Sequence, residues 1–258
     1  MQIPQVTKSQ KRILFLLASF RFLLITQLQT NFSHKDPHRI KEWLIDLEQK
    51  GFIAIIKDPK DKTKPYIICL NQKPRYILKE DSDIDRNFLD RLYREKKVSE
   101  EFISRQLFIM DLYLFFLKHK EKKSQIDFFT QQDLQSYTYF PDPMPDAYID
   151  ETTGNENHRY FLNYLDADTS IGEMHYKVSN YFKYADNGNW QENTNNAPFP
   201  TILLIFEKER RKKHIYYYAK ALLEKTFNND IEIFVTTKEK ILNNRGETDI
   251  WQRVEVDG

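Results

Sequence analysis

Three aspartates and one lysine in the second half of the chain have the residue types that metal-dependent phosphodiester cleavage requires. Asp146 stands at the start of a predicted β-hairpin, and Asp166 and Asp168 stand at the end of its second strand. Carboxylates at adjacent strand ends can hold Mg²⁺, and a nearby lysine can neutralise the charge that develops on the phosphate. The sequence therefore predicts a candidate metal and catalytic site formed by Asp146, Asp166, Asp168 and Lys177.

The order of these residues resembles the restriction-endonuclease-like pattern, which runs Pro-Asp, a variable stretch and then acid-x-Lys. Pro145 and Asp146 match its first part, but Asp168 occupies the position of the lysine. Lys177, in the following predicted helix, is the nearest substitute. The resemblance implies a nuclease-like fold, and the missing lysine favours a degenerate site. Mg²⁺ is expected only if the nuclease interpretation holds, and Asp146 can also be explained as a turn residue that caps local backbone.

The elements that must position these residues alternate between short strands and helices. A hairpin is predicted over residues 147–167, and Thr169 or Ser170 is expected to begin a helix. The apolar run Thr201–Glu207 is typical of a buried strand. This pattern predicts a mixed α/β domain over residues 126–258.

A run of basic residues follows the buried strand and opens a predicted helix. A charge run is commonly a solvated helix face, but cations near a helix N-terminus oppose the helix dipole. The run is therefore also a candidate second basic patch, made of Arg210, Arg211, Lys212 and Lys213.

The segment from Phe32 to Gly51 predicts a helix with one packed face and one face turned to a partner. Ser33 and Asp36 can each cap its N-terminus, and Pro37 suits a first helical position. The apolar residues at three- and four-residue spacing are Ile40, Trp43, Leu44 and Leu47. The residues on or near the other side are His38, Arg39, Lys41, Glu42, Ile45 and Asp46, and the candidates to contact bases are His34, His38, Arg39 and Glu42.

The segments around this helix predict a winged helix-turn-helix. Ser9 is expected to cap a first helix, and residues 22–32 are expected to form a second. Two strands follow, Phe52–Lys57 and Tyr66–Leu70, joined by a polar loop. In a winged helix the third helix enters the major groove and the hairpin loop touches the flanking backbone. The predicted DNA-binding residues are Lys35, His38, Arg39, Lys41, Lys60, Lys62 and Lys64.

Some of these residues are expected to contact phosphates and others to contact bases. The lysines suit phosphate contact, which gives affinity without sequence information. Arg39 has the fork geometry that pairs with guanine through two hydrogen bonds. The alternative is that the fold mediates protein contacts, since winged helices also serve as docking modules.

The charge of the chain is sorted along its length. Residues 1–75 contain 14 Lys and Arg against 6 Asp and Glu, a net charge of +8, whereas the remaining 183 residues carry −7. A basic first third favours a polyanionic partner such as double-stranded DNA. The predicted α+β organisation is a winged helix-turn-helix over residues 1–75, a helical connector over 76–125 and a restriction-endonuclease-like domain over 126–258.

Several protein classes are excluded by composition. The chain has 258 residues and a single cysteine, Cys69, so it forms no internal disulfide, and its six histidines show no zinc-ligand spacing. No apolar stretch approaches the roughly 20 residues that a membrane span needs. A cytoplasmic protein without a membrane partner is expected.

A further resemblance rests on short motifs distributed along most of the chain. They are a long helix with Asp111 near its middle, Pro145–Ile149 (PDAYI), Asp166-x-Asp168-Thr169, Lys177-x-x-x-Tyr181 and residues 199–214 (FPTILLIFEKERRKKH). In this order they resemble the replication-relaxation family of plasmids and conjugative elements, although Gln131 or Gln132 and Asp166 stand where that family commonly has glutamate.

The family resemblance implies a DNA-binding accessory protein that acts in replication initiation or relaxosome assembly. Its implied partners are double-stranded DNA, a relaxase or replication initiator, and a second copy of the chain. The substitutions weigh against an enzyme. The alternatives are a magnesium-dependent DNA endonuclease, and a winged-helix transcriptional regulator that binds a palindromic site as a dimer.

Overall fold

The chain has a mixed α+β fold that divides into two compact units, Met1–Leu114 and Phe115–Gly258. The structure is a computed structural model, and it describes residues 4–34, 36–57, 61, 63–79, 89, 98–226, 231–244 and 250–256. The predicted DNA contacts Lys35, Lys60 and Lys62 lie outside the described residues. No helix in the described ranges is both long enough and apolar enough to cross a membrane.

The first unit contains helices that pack with a small antiparallel sheet. Its elements are α1 (Lys8–Phe20), β1 (Phe22–Leu24), α2 (Ile25–Asn31), α3 (Pro37–Gln49), β2 (Ile53–Ile56), β3 (Ile67–Leu70), α4 (Arg75–Leu78) and the start of α5 (Glu100–His119). Among the described residues the sheet has three strands in the order β1-β3-β2. Both pairs are antiparallel, with Phe22 opposite Cys69 and Ile53 opposite Leu70.

Two sequence expectations about the start of this unit are wrong. The cap of α1 is Thr7, not Ser9, because the Thr7 side chain accepts a hydrogen bond from the Gln10 backbone N–H at 3.2 Å and the Gln10 side chain accepts one from the Thr7 backbone N–H at 2.9 Å. Residues 22–32 were expected to be helical throughout, but 22–24 form strand β1. Pairing with β3 satisfies the backbone hydrogen-bonding groups of residues 22–24. This long-range pairing outweighs the local helical pattern of the segment.

Helix α3 begins and ends where its residue types predict. The Asp36 side chain caps it by accepting a hydrogen bond from the His38 backbone N–H at 2.8 Å, and Pro37 takes the first helical position. The chain leaves the helix through Gly51, whose φ of +72° suits glycine because it lacks a Cβ atom. Ser33, the other predicted cap, precedes the helix and has a positive φ of 53°.

The second unit is built on one mixed sheet. Its elements after α5 are β4 (Ser124–Thr130), α6 (Gln131–Leu134), β5 (Ala147–Thr153), β6 (Glu156–Leu165), α7 (Ile171–Asp186), α8 (Asn189–Asn193), β7 (Thr201–Phe206), α9 (Glu209–Lys225), β8 (Ile233–Thr237), α10 (Lys238–Leu242) and β9 (Gln252–Arg253). In the described part of the chain this sheet has six strands, in sequence order from β4 to β9. Strands β4, β5 and β6 are antiparallel, β6, β7 and β8 are parallel, and β9 is antiparallel again.

Strand β4 was not predicted, since no strand was expected between residues 70 and 147. It pairs along its whole length with β5, from Ser124 opposite Thr153 to Thr130 opposite Ala147. Helices α7 and α9 cover one sheet face, where Phe161, Leu204 and Val235 belong to the same buried cluster as Val178 and Ile215. This packing fixes the strand ends that carry the predicted carboxylates.

Candidate nucleic-acid interface and carboxylate site

Helix α3 separates a buried face from an exposed one. Ile40, Leu44 and Leu47 are each at most 1% exposed, as their spacing predicts. The opposite side carries the exposed residues His38, Arg39, Lys41, Glu42 and Ile45. Ile45 is 52% exposed, which leaves an apolar side chain among the polar ones. This face can therefore offer both charge and apolar contact to a partner.

Trp43 supports this face instead of filling the core. It was expected to point inward, but it is half-buried and its ring lies 5.7 Å from that of Phe32 and 5.5 Å from that of His34. The Arg39 guanidinium lies over the Trp43 ring at 5.7 Å from its centroid. A cation over an aromatic face is attracted by the ring quadrupole. Trp43 therefore restrains the Arg39 side chain, and the N–H donors of the guanidinium remain at the surface.

A histidine–carboxylate contact and an ion pair lie on the α3 surface. His38 Nδ1 lies 3.4 Å from a Glu42 carboxylate oxygen, one turn along the helix. Asp46 accepts from Lys50 Nζ at 2.6 Å and from Gln10 at 2.5 Å, which ties α3 to α1. The Lys50 hydrogen bond is the main reason why the pKa of Asp46 is below its ordinary value. Glu42 and Asp46 are thus engaged in pairs, and Arg39 and Lys41 add positive charge to the exposed side.

The described end of the β2–β3 loop forms a turn that presents a lysine. The Asp61 side chain accepts from the Thr63 backbone N–H at 2.9 Å and from its hydroxyl at 2.5 Å. Lys64 follows and is exposed. Asp61 thereby holds Thr63 through local hydrogen bonds, as in Asx turns.

Asp146 is a buried carboxylate at the beginning of β5. It is 7% exposed, and its Oδ2 accepts a hydrogen bond from the Tyr164 backbone N–H at 2.7 Å. Its own N–H donates to the Leu162 carbonyl at 2.9 Å. Asp146 would act through its carboxylate both as a metal ligand and as a residue that caps local backbone. One oxygen of that carboxylate is engaged with the neighbouring strand β6.

Asn163 faces Asp146 across the two strands and was missed by the sequence interpretation. Ala147 pairs with Leu162, and continuing that register places Asp146 opposite Asn163. Asn163 is fully buried, and its Oδ1 accepts from the Tyr181 hydroxyl at 2.9 Å. Burial raises the pKa of Tyr181 above its ordinary value, and the negative charge of Asp146 acts in the same direction. A neutral amide and a protonated phenol therefore stand beside Asp146.

Lys177 lies one helical turn before Tyr181 on α7. Its Nζ donates to the Met144 carbonyl at 3.2 Å, two residues before Asp146. Helix α7 thus brings the predicted lysine to the chain that enters β5. Of the candidate catalytic residues, the structure places Lys177 and Asp146 at the same strand start.

The other two candidate carboxylates lie past the end of β6. Asp166 Oδ1 accepts from the Thr169 backbone N–H at 2.9 Å and from its hydroxyl at 2.6 Å, and Asp168 is exposed. Across the described ranges, no group of three or more Asp, Glu, His or Cys side chains is arranged to hold a metal ion. The described residues therefore do not fit a magnesium site made from the three aspartates together.

The carboxyl ends of the parallel strands carry a polar network that the sequence interpretation missed. The Tyr164 hydroxyl donates to Glu207. Lys238 Nζ lies 3.1 Å from the Tyr164 hydroxyl and 3.3 Å from Glu207 Oε2. The three residues lie at the ends of β6, β7 and β8. This edge is where open α/β sheets commonly bind ligands, and here the three side chains join the strand ends to one another.

The basic run on α9 divides into structural and exposed residues. Arg211 donates to the carbonyls of Asp166 at 2.9 Å and Thr169 at 2.7 Å. Lys212 is 4% exposed and pairs with Glu209 at 2.9 Å. Arg210 and Lys213 are exposed. Arg211 and Lys212 thus hold the loop before α7 and the start of α9. Arg210 and Lys213 lie at the surface.

Replacement of Asp146 by alanine is expected to destabilise the second unit by about 1–3 kcal/mol, because the buried Tyr164 N–H loses its acceptor. Asp146→Asn keeps an acceptor oxygen and is expected to cost less. Urea unfolding at neutral pH measures both. An alanine variant as stable as the parent would contradict the role of Asp146 as a backbone acceptor.

The comparisons with known proteins show no family. No family model matches the chain, and no curated protein matches it. Among solved structures, the restriction endonuclease FokI is similar at 12% identity with a TM-score of 0.34, over 91% of this chain and 43% of that one. The chain thus spans less than half the length of that protein, and a similarity at this level carries no argument about activity.

Proposed function

We propose that this chain is a DNA-binding accessory protein that binds duplex DNA through α3 and the β2–β3 loop. The observation that carries the proposal is the exposed face of α3, where Arg39 rests on Trp43 beside Lys41. The order helix, strand, helix, helix, strand, strand with the sheet order β1-β3-β2 supports a winged helix. The net charge of +8 over residues 1–75 supports a polyanionic partner.

The setting of this function is proposed from the motifs of the second half. Their resemblance to the replication-relaxation family supports a role on a plasmid or conjugative element, in replication initiation or relaxosome assembly. In this proposal the second domain is a degenerate nuclease-like domain that docks a relaxase, a replication initiator or another copy of the chain in the cytoplasm. The neutral Asn163 beside Asp146 supports degeneracy, since a cleavage site needs converging carboxylates.

Binding of the full chain to short duplexes at low salt tests the function. Retention of labelled duplex is expected, and an absence of binding to any duplex at low salt would overturn the proposal. Footprinting then places the site at a transfer or replication origin, whereas a palindrome at a promoter would favour a transcriptional regulator. Supercoiled plasmid is expected to stay intact with Mg²⁺ or Mn²⁺, and cleavage lost in Asp146→Asn would instead show a nuclease.

Arg39→Ala is expected to relax the site preference of the protein. A bidentate arginine–guanine contact is worth about 1–3 kcal/mol of discrimination, so specific binding should fall roughly 5- to 150-fold relative to random duplex. Competition between specific and random duplexes measures the ratio. Lys64→Ala is the matched control, because loss of a phosphate contact should weaken both duplexes alike. Equal losses for both duplexes in Arg39→Ala would contradict base contact by Arg39.

A further inference from the structure

Two histidines on neighbouring helices of the second unit face each other at its surface. His175 belongs to α7 and His214 to α9, and their Nε2 atoms lie 3.0 Å apart. His214 is exposed and His175 is half-buried. The Tyr218 ring stacks on the His175 ring, with centroids 3.9 Å apart and planes 19° from parallel. Two imidazoles from separate elements thus converge with one ring held in place.

The separation of these nitrogens matches that of two ligands on one metal ion. Metal–imidazole bonds of about 2.0–2.1 Å place adjacent ligand nitrogens roughly 3 Å apart. In the absence of metal, one Nε2 carries the hydrogen that the other accepts. A chelated ion takes the place of that hydrogen, which moves to Nδ1 of the same ring, so the neutral pair binds the ion without losing a proton.

The surroundings of the pair keep one ring available as a ligand. The Tyr218 ring packs on the face of the His175 ring, and the His175 Nε2 lies at the edge of the ring that meets His214. A neutral imidazole is the form that binds metals. The exposed position of His214 leaves room for water to fill the remaining coordination positions.

We propose that His175 and His214 bind one late first-row transition-metal ion, and that the ion clamps α7 to α9. Imidazole nitrogen suits Cu²⁺, Ni²⁺ and Zn²⁺ and not Mg²⁺, and Cu²⁺ binds tightest. The clamp joins the helix that carries Lys177 and Tyr181 to the helix that carries the basic run. This site uses none of the residues proposed to contact DNA, so the two proposals fail or succeed separately.

Calorimetric titration of the full chain with NiCl₂, in a buffer without chelating components, tests the proposal. One saturable ion per chain is expected. His175→Ala and His214→Ala should each weaken binding by at least about tenfold, since each removes one of two protein ligands. His214→Gln is a second variant that keeps a polar side chain at the exposed position.

His158→Ala is the matched control, because it removes an exposed imidazole that lies next to Glu156. It is expected to bind Ni²⁺ as the parent does, and Ni²⁺ should raise the thermal unfolding midpoint of the parent and of this control but not of His214→Ala. Unsaturable binding, or equal weakening in His158→Ala and His214→Ala, would overturn the proposal and show scattered surface coordination.

Discussion

Replacement of both Lys41 and Lys64 by glutamate should lower the affinity for duplex DNA at least about 60-fold at 0.1 M salt. Each phosphate contact contributes about 0.9 to the slope of log affinity against log salt, so two lost contacts cost close to two powers of ten at 0.1 M before any repulsion is added. Lys41 lies on the exposed face of α3 and Lys64 at the end of the β2–β3 loop. Helix α3 and this loop are the two elements proposed to contact duplex DNA.

Fluorescence anisotropy of a labelled duplex, measured across salt concentrations, checks this result. The slope should become shallower by about 1.8, because two phosphate contacts are lost. Lys122→Glu with Lys123→Glu is the matched control, since it makes the same charge change at exposed residues of the second unit. If this control lowers affinity as much as the test variant does, overall charge governs binding and not the lysines of α3 and the β2–β3 loop.

Replacement of Trp190 by alanine should destabilise the second unit by about 3–5 kcal/mol, the range measured for large aromatic side chains removed from cores. Trp190 is 1% exposed, and its ring lies 5.4 Å from that of Phe161 and 5.8 Å from that of Tyr148. Its indole N–H donates to the Pro198 carbonyl at 2.9 Å. Alanine leaves both a cavity next to Tyr148 of β5 and a Pro198 carbonyl without its donor.

Urea unfolding followed by circular dichroism measures this loss. Trp190→Phe keeps most of the ring volume and should cost less than the alanine variant, so it reports on the site even if the alanine variant does not fold. Tyr217→Ala is the control, because Tyr217 is 67% exposed and surface substitutions usually change stability by less than about 0.5 kcal/mol. A loss below about 1 kcal/mol in Trp190→Ala would contradict its place in the core.

Local signals in the sequence were enough to predict helix α3. Asp36 caps it, Pro37 opens it and Gly51 follows it, and each acts through its own backbone conformation or the N–H groups of its near neighbours. The buried positions followed from helical spacing, except that Trp43 packs with Phe32 and His34 beside the core. A periodic pattern shows which side of a helix is apolar, but it does not distinguish the core from its rim.

Strands whose identity depends on distant partners were harder to predict. The local pattern of residues 22–24 predicts a helix, whereas strand β1 forms through its pairing with β3, which joins residues more than 40 positions apart. Strand β4 carried a local signal that was overlooked, since polar Gln125 and Asp127 alternate with apolar Ile126 and Phe128. The burial of Ser124–Thr130 alternates in the same way, as expected of a strand with one covered face.

Part of the carboxylate site could have been found by counting along the hairpin. Thr153 pairs with Glu156, and stepping outward from that turn reaches Asp146 and Asn163 together. The network of Tyr164, Glu207 and Lys238 could not be found in this way, because it depends on parallel strands joined by long crossovers. The same holds for His175 and His214, which meet only after α7 and α9 pack side by side.

The salt dependence of duplex binding by the full chain shows whether lysines of the first 75 residues contact DNA phosphates. We expect phosphate contacts from five lysines, namely Lys35, Lys41, Lys60, Lys62 and Lys64. The slope of log affinity against log salt is then about −4.5, so affinity should fall roughly 500-fold between 50 and 200 mM salt. Binding at 50 mM with a loss of that order would support a phosphate-contacting winged helix. Binding that is absent at 50 mM, or that changes little across this range, would contradict it.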